Sequence, residues 1–132
     1  PSGGCITKEN LDTPIDYGAL MKIGSMMGSG GMIVLSDKDC MPAMAKFYLG
    51  FTKDESCDKC TPCREGTMRV EELLEKLKKG EGTQKDVELI KTLSGYMQKT
   101  CFCPLGQSAT TALMSALKLF PEDFDAKLRK EA

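Results

Sequence analysis

Three cysteines follow one another at intervals of three residues, and this run constrains the fold more than any other feature of the sequence. Cys57, Cys60 and Cys63 form the run, and Cys103 follows much later with Pro104 directly behind it. Bacterial ferredoxins hold an iron–sulfur cluster with a Cys-x₂-Cys-x₂-Cys run and a remote cysteine that precedes a proline. The spacing therefore predicts a [4Fe–4S] cluster bound by these four cysteines, and a fold that brings the two segments together.

Other uses of the cysteines stay open on spacing alone. A structural zinc site made of four cysteines usually has two Cys-x₂-Cys pairs, and a second pair is missing here. A thioredoxin-like dithiol needs a βαβ setting that the sequence lacks. Unligated cysteines would be scattered rather than evenly spaced. Cys101 is an alternative fourth ligand to Cys103, although the proline favours Cys103, while Cys5 and Cys40 are expected to be buried, inert thiols.

The composition excludes several classes of protein. The chain has 132 residues, seven cysteines and no histidine, which rules out Ser-His-Asp and Cys-His catalysis, Cys₂His₂ fingers and Rieske ligation. Without a secretory signal, so many cysteines favour a reducing compartment, and we expect a cytoplasmic protein. A net charge of −1 without a basic run argues against nucleic-acid binding. No apolar stretch is long enough for membrane insertion. The N-terminus is expected to continue a longer chain.

Apolar residues at helical spacing predict a mainly α fold from residue 37 onward. Four stripes predict four amphipathic helices with short connections, which suggest an antiparallel four-helix bundle. A short polar helix over roughly 122–130 is expected after Pro121. Thr83 and Asp86 resemble a capping box at the start of the third helix. The stripes consist of Met41, Met44, Ala45, Tyr48, Leu49 and Thr52; Val70, Leu73, Leu74 and Leu77; Val87, Ile90, Leu93 and Met97; and Leu113, Leu117 and Phe120.

The first 36 residues are rich in glycine and predict mixed structure. A short helix is expected over residues 16–22, and the apolar run 32–35 predicts a buried strand. The glycines of residues 28–31 precede this strand, whereas nucleotide-binding loops place theirs after one, so the run predicts a tight turn. Thr61 and Pro62 suit the N-cap and first position of a helix, which places Cys63 in its first turn.

Two segments resemble a known family. Residues 55–66, Glu-Ser-Cys-Asp-Lys-Cys-Thr-Pro-Cys-Arg-Glu-Gly, resemble the iron–sulfur signature of the flavin-bearing, NADH-oxidising subunit of respiratory complex I and of NAD(P)-linked [FeFe]-hydrogenases. The signature also occurs in some NAD-dependent formate dehydrogenases. The chain departs from the family pattern only at Asp58, where glycine is usual. Residues 103–106 resemble the segment that donates the fourth ligand, and residues 107–109 are closer to the hydrogenase branch.

The resemblance implies a layout and a function. Residues 1–36 would be the C-terminal part of a ubiquitin-like β-grasp domain, and residues 37–132 the helical [4Fe–4S]-binding domain. The implied function is electron transfer, in single electrons, between FMN and the clusters of partner iron–sulfur subunits in an NAD(P)H-linked oxidoreductase. FMN and NAD(P)H would bind only to the full-length protein, in a domain outside this chain. No catalytic residue is expected here. The alternative is a non-redox interaction module with a structural Cys₄ zinc site.

Overall fold

The chain is mainly helical in the computed structural model, which describes residues 3–129. A short 3₁₀ helix at Lys8–Asn10 precedes the α-helices, and no β-strand forms within the described part. The α-helices are α1 (Tyr17–Lys22), α2 (Met41–Asp54), α3 (Thr61–Lys78), α4 (Gln84–Thr100), α5 (Pro104–Ser108), α6 (Thr111–Leu119) and α7 (Pro121–Asp125).

The longest helix, α3, packs between α2 and α4, and α2 also packs against α6 and α7. The short α5 contacts both α4 and α3, which places it at the end of the helical core. Each of the four predicted stripes contributes to one continuous core, so the stripes are confirmed as packing surfaces. Its least exposed large side chains come from all of them and from α7: Leu49, Leu74, Leu77, Ile90, Met97, Leu113 and Phe124.

Local sequence signals explain where the helices begin. The predicted capping box is present at α4, because Thr83 Oγ1 accepts from Asp86 N–H while the Asp86 carboxylate accepts from Thr83 N–H. Asp16 accepts from Ala19 N–H and caps α1, which confirms the short helix predicted there. Four other helices, α2, α3, α5 and α7, have proline in their first turn. The N–H groups of a first turn make no hydrogen bond within the helix, so proline is tolerated there.

Ion pairs join α2 to α3 on one side of the core. Lys46 pairs with Glu75, and Lys53 pairs with Glu71. All four side chains are partly exposed, so the pairs add little stability by themselves. They join the two helices that precede and follow the loop over residues 55–60.

The predicted buried strand at residues 32–35 is wrong for this structure. Met32 and Val34 are exposed at 76% and 84%, and Ile33 is also exposed. A strand needs a hydrogen-bonded neighbour, and residues 3–129 offer it none. The glycine run before it forms a turn, as predicted: Gly30 N–H donates to the Met27 carbonyl, and both Gly28 and Gly30 have positive φ.

The segment before α2 packs on α6. Cys5 N–H donates to Ser115 Oγ at 2.8 Å, and Ser25 Oγ donates to the Gly3 carbonyl. The division into a β-grasp part over residues 1–36 and a helical domain over 37–132 stays a prediction.

The end of the chain differs from the short polar helix predicted over 122–130. The helix α7 is shorter, and its Phe124 is buried in the core at 1% exposure. The last predicted position, Lys130, lies outside the described residues. Within the described part, no helix is long and apolar enough to span a bilayer.

Candidate metal centre

Two segments carry the predicted ligands, and each lies where a helix begins. The loop between α2 and α3 holds Cys57, which is exposed, and ends at Cys60, the half-buried N-cap residue of α3. Cys63 lies in the first turn of α3, as predicted, and is buried at 3% exposure. Cys103 is exposed and is the N-cap residue of α5. Partial positive charge at the start of the long helix α3 favours anionic thiolates there.

The N-cap of α3 is Cys60 rather than Thr61, which the sequence predicted. The Cys60 carbonyl accepts from the N–H groups of Cys63 and Arg64, both at 3.1 Å, so the helix begins with Thr61 itself. No side chain caps this end. Pro62 fixes the backbone for the first turn and has no N–H to satisfy, so the helix starts without the help of a threonine hydroxyl.

Three polar contacts hold the cysteine loop against the start of α3. Ser56 Oγ lies 3.4 Å from Cys63 Sγ and accepts from Asp58 N–H at 3.1 Å. The Arg64 guanidinium donates through Nη1 to the Asp58 carbonyl at 3.0 Å. The loop residues on both sides of Cys57 are therefore tied to the first turn of α3.

Asp58 adopts a left-handed backbone conformation with φ of 55°, and no other non-glycine residue within 3–129 has positive φ. Aspartate and asparagine tolerate this region better than other residues with a Cβ. The position is the one where the family signature has glycine. The departure noted in the sequence is therefore compatible with the same loop geometry.

The Cys103 segment meets the loop at the sulfur of Cys60. Hydrogen bonding from the main-chain amides of Phe102 and Cys63 lowers the pKa of Cys60, and the neighbouring Cys101 thiol contributes to the same shift. One amide comes from each of the two ligand-bearing segments. Amides directed at sulfur stabilise the thiolate form, which is the form that binds iron.

Cys101 is buried like Cys63, in contrast to the exposed Cys57 and Cys103. It is 4% exposed, whereas Cys103 is exposed. Burial raises the pKa of Cys101 to about 11, and the nearby Cys63, Cys60 and Cys103 contribute to this rise. Cys103 has an extended backbone, with φ of −130° and ψ of 162°, which is the conformation that a following proline favours.

Gly106 and Gln107 pack α5 against this region, and the sequence analysis did not assign them a role. A Cβ at position 106 would lie 2.8 Å from Cys101 Sγ and 3.2 Å from Cys63 Cβ, so only glycine fits without a shift. Gln107 Nε2 donates to the Cys101 carbonyl at 2.9 Å. The Cys-Pro-Leu-Gly-Gln order was the available signal, because glycine in a helix indicates close approach of a neighbour.

The residues present fit an iron–sulfur cluster. The helix that begins at Cys103 packs against the start of α3, because a Cβ at Gly106 would lie 3.2 Å from Cys63 Cβ, and thiolates are the ligands that such clusters use. Within residues 3–129, no three Cys, Asp or Glu side chains converge closely enough to hold a single metal ion. The assignment of Cys57, Cys60, Cys63 and Cys103 as the ligands stays a prediction.

The remaining cysteines lie apart from these contacts. Cys5 Sγ is 3.9 Å from the Ala112 carbonyl on α6 and is half-buried. Cys40 is half-buried as the N-cap residue of α2 and makes no side-chain cap bond. Neither is fully buried, although both were expected to be, because each lies at the edge of the helical core.

Comparison with known proteins identifies a family. Residues 43–127 match the model described as the NADH-ubiquinone oxidoreductase-F iron-sulfur binding region, a [4Fe–4S] domain. The NADP-reducing hydrogenase subunit HndC of Solidesulfovibrio fructosivorans is 44% identical over 126 residues, which are 96% of this chain and 26% of that protein. An NADH-quinone oxidoreductase subunit of Aquifex aeolicus is 36% identical over 128 residues, 97% of this chain and 29% of that protein.

Solved structures agree. The NAD⁺-reducing [NiFe]-hydrogenase in the H₂-reduced state superposes with a TM-score of 0.87 at 28% identity, over 99% of this chain and 22% of that one. The chain spans about a quarter of the length of these relatives. The resemblance drawn from the cysteine signature is confirmed, and the higher identity to a hydrogenase subunit agrees with the branch that residues 107–109 indicated.

Proposed function

The chain belongs to the NADH-ubiquinone oxidoreductase-F iron-sulfur binding region family, and on this premise we propose that it is an electron-transfer module with one [4Fe–4S] cluster. The proposed ligands are Cys57, Cys60, Cys63 and Cys103. The observation that carries the ligand set is the close approach of the two ligand-bearing helix starts, where a Cβ at Gly106 of α5 would lie 3.2 Å from Cys63 Cβ in the first turn of α3.

The protein residues set the environment of the cluster. The cluster supplies reversible one-electron transfer when bound. Cys63, buried in the core, fixes the inner side of the site, while Cys57 and Cys103 open it to the surface. Amides at the start of α3 and the cations Lys59 and Arg64 would place positive charge near a bound cluster. Electrons would therefore enter and leave through the exposed side.

The role of the full-length protein is inferred through its relatives. We propose that it is part of an NAD(P)H-linked oxidoreductase in which FMN accepts a hydride and this module passes electrons singly to partner iron–sulfur subunits. Flavin and nucleotide would bind outside the chain, so the chain by itself would not be a complete enzyme. The names of the relatives, which are NAD(P)-linked hydrogenase and quinone oxidoreductase subunits, support this proposal. A cytoplasmic location stays a prediction.

Anaerobic reconstitution of the purified chain with iron and sulfide tests the proposal. We expect about four iron atoms per chain, brown colour that bleaches with dithionite, and an EPR signal from the reduced sample. Cys5→Ser is the matched control, because it removes a thiol that lies on α6, away from the Cys60 contacts. A colourless protein that binds zinc and no iron would support the structural Cys₄ zinc site instead.

A further inference from the structure

The side chain of Gln107 links α5 to the residue that ends α4. Its Nε2 donates to the Cys101 carbonyl at 2.9 Å, and its main-chain N–H donates to the Cys103 carbonyl at 3.2 Å. One residue therefore binds the main chain on both sides of Phe102. The side-chain bond spans six residues and does not belong to any helix.

The Cys101 carbonyl needs such a partner because the helix turns away from it. Cys101 is the C-cap residue of α4 and has extended backbone angles, φ of −67° and ψ of 143°. Carbonyls at a helix C-terminus have no intrahelical donor. Cys101 itself is buried, and an unsatisfied carbonyl there would carry a desolvation penalty. Gln107 supplies the donor from its own helix.

The orientation of this peptide sets the path of the chain toward Cys103. The Cys101 carbonyl and the Phe102 amide belong to the same planar peptide unit, so fixing one fixes the other. Cys103 follows Cys101 by two residues, and its own carbonyl accepts from the Gln107 N–H. Rotation of the peptide would therefore move the remote thiol.

We propose that Gln107 is a positioning residue for the iron–sulfur site. Its side-chain amide fixes the peptide between Cys101 and Phe102 and thereby holds Cys103 at the start of α5, where this helix packs against Cys63 through Gly106. This inference rests on the proposed function, in which Cys60 and Cys103 are ligands. Gln107 acts through the main chain and is not itself a ligand.

Gln98 offers a matched comparison within the same chain. Gln98 and Gln107 line one cavity of about 120 Å³ between α4 and the α5–α6 segment. Both are exposed glutamines. Gln107 donates to Cys101, whereas no hydrogen bond from the Gln98 side chain is present in the described part of the chain. Changes at Gln98 therefore alter charge and cavity lining without touching the Cys101 peptide.

The test compares Gln107→Glu with Gln98→Glu. Each adds one negative charge at the same cavity, but only the first replaces a donor by an oxygen that faces a carbonyl. In the reconstituted protein we expect Gln107→Glu to lose its visible absorbance to an iron chelator about fivefold faster than wild type, the factor expected for roughly one hydrogen bond. Its reduced EPR spectrum should also shift. Gln98→Glu should match wild type in both readouts.

A second measurement does not depend on the cluster. Hydrogen exchange of the metal-free chain, followed over residues 101–107, should be faster in Gln107→Glu than in Gln98→Glu. Equal behaviour of the two variants in chelation, EPR and exchange would overturn the role of Gln107. If the wild-type chain bound no iron, the proposed function would fail instead, and the exchange contrast alone would decide whether Gln107 holds the peptide.

Discussion

Gly106 of α5 lies directly against Cys101, so closely that a methyl group at position 106 would come within 2.8 Å of both Cβ and Sγ of that cysteine. The same methyl group would approach Cys63 Cβ to 3.2 Å. The contact joins the buried cysteines of the candidate site, Cys63 and Cys101, to the helix that begins after Cys103. It makes the spacing between the two ligand segments sensitive to a single small side chain.

Gly106→Ala should destabilise the protein and weaken iron binding. Overpacking typically costs about 1–3 kcal/mol, which outweighs the roughly 0.5–1 kcal/mol that alanine gains over glycine in a helix. Denaturant unfolding and iron content after reconstitution measure the two effects. Gly95→Ala is the control, because a Cβ at Gly95 in α4 meets nothing within 4 Å, and it should stabilise the protein. Unchanged stability and iron content in Gly106→Ala would contradict the close contact.

Substitution of single cysteines should separate ligands from neighbours. Replacing Cys57, Cys60 or Cys63 by serine removes a thiolate and should abolish or severely reduce iron binding. Iron content after anaerobic reconstitution is the measurement. Iron near four atoms per chain in all of these variants would refute the ligand set.

The choice between Cys103 and Cys101 needs its own pair of variants. Cys103→Ser should lose most of the iron or leave a three-iron form, because one iron site then lacks its thiolate. Cys101→Ser should retain about four irons, with a shifted EPR spectrum since a buried neighbour of Cys60 has changed. The reverse pattern would make Cys101 the fourth ligand.

The left-handed conformation of Asp58 predicts an asymmetric response to substitution. Asp58→Gly should be tolerated in iron binding, because glycine adopts positive φ without strain. Asp58→Val should weaken the loop by about 1–3 kcal/mol, since a β-branched side chain clashes there. Asp58→Asn is the control, because it also removes the carboxylate but tolerates positive φ. Equal iron affinity for Asp58→Val and Asp58→Asn, from competition with a chelator, would show that backbone strain is unimportant.

Asp86 should make stability depend on acidity. A hydrogen bond from Lys76, followed by that from Thr83, holds the pKa of Asp86 below its ordinary value. A carboxylate whose pKa is lowered by folding stabilises the folded protein at pH values above its pKa in the unfolded chain, about 3.9. This contribution is lost as the pH falls through the pKa that the group has in the folded protein. Urea unfolding at neutral and at acid pH should show that the free energy of unfolding decreases less on acidification in Asp86→Asn than in wild type.

The same aspartate closes the capping box, so Asp86→Asn should also cost about 0.5–2 kcal/mol at neutral pH. Glu88→Gln, on the exposed face of α4, should change that free energy by less than about 0.5 kcal/mol. An equal decrease in the free energy of unfolding on acidification, in wild type and in Asp86→Asn, would show that this carboxylate does not contribute to the pH dependence of stability.

Folding should depend on the metal only locally. The helices share one apolar core, so the metal-free chain should keep most of its helical circular dichroism. The loop over residues 55–60 has few buried side chains and is held by three polar contacts, so its amides should exchange quickly until iron binds. Strong protection of this loop without iron would contradict the prediction.

The sequence by itself determined most of the helical part. The spacing of apolar residues predicted four amphipathic helices, because apolar residues that recur every three to four positions lie on one side of a helix, and that side is buried. The capping box at Thr83 and the extended backbone at Cys103 were also predictable, because each depends on residues at most three positions apart in the sequence. The cysteine spacing, also local, identified the family, and it predicts the ligand set.

Only the tertiary structure decided the features that depend on distant partners. The apolar run at residues 32–35 has strand-like composition, but a strand forms only when another segment pairs with it. The burial of Cys101 beside an exposed Cys103 follows from Gly106 approaching from α5, and the Cys101 carbonyl is satisfied by Gln107. Sequence patterns reflect interactions within one segment, whereas these contacts form between α3, α4 and α5, which come together only in the folded chain.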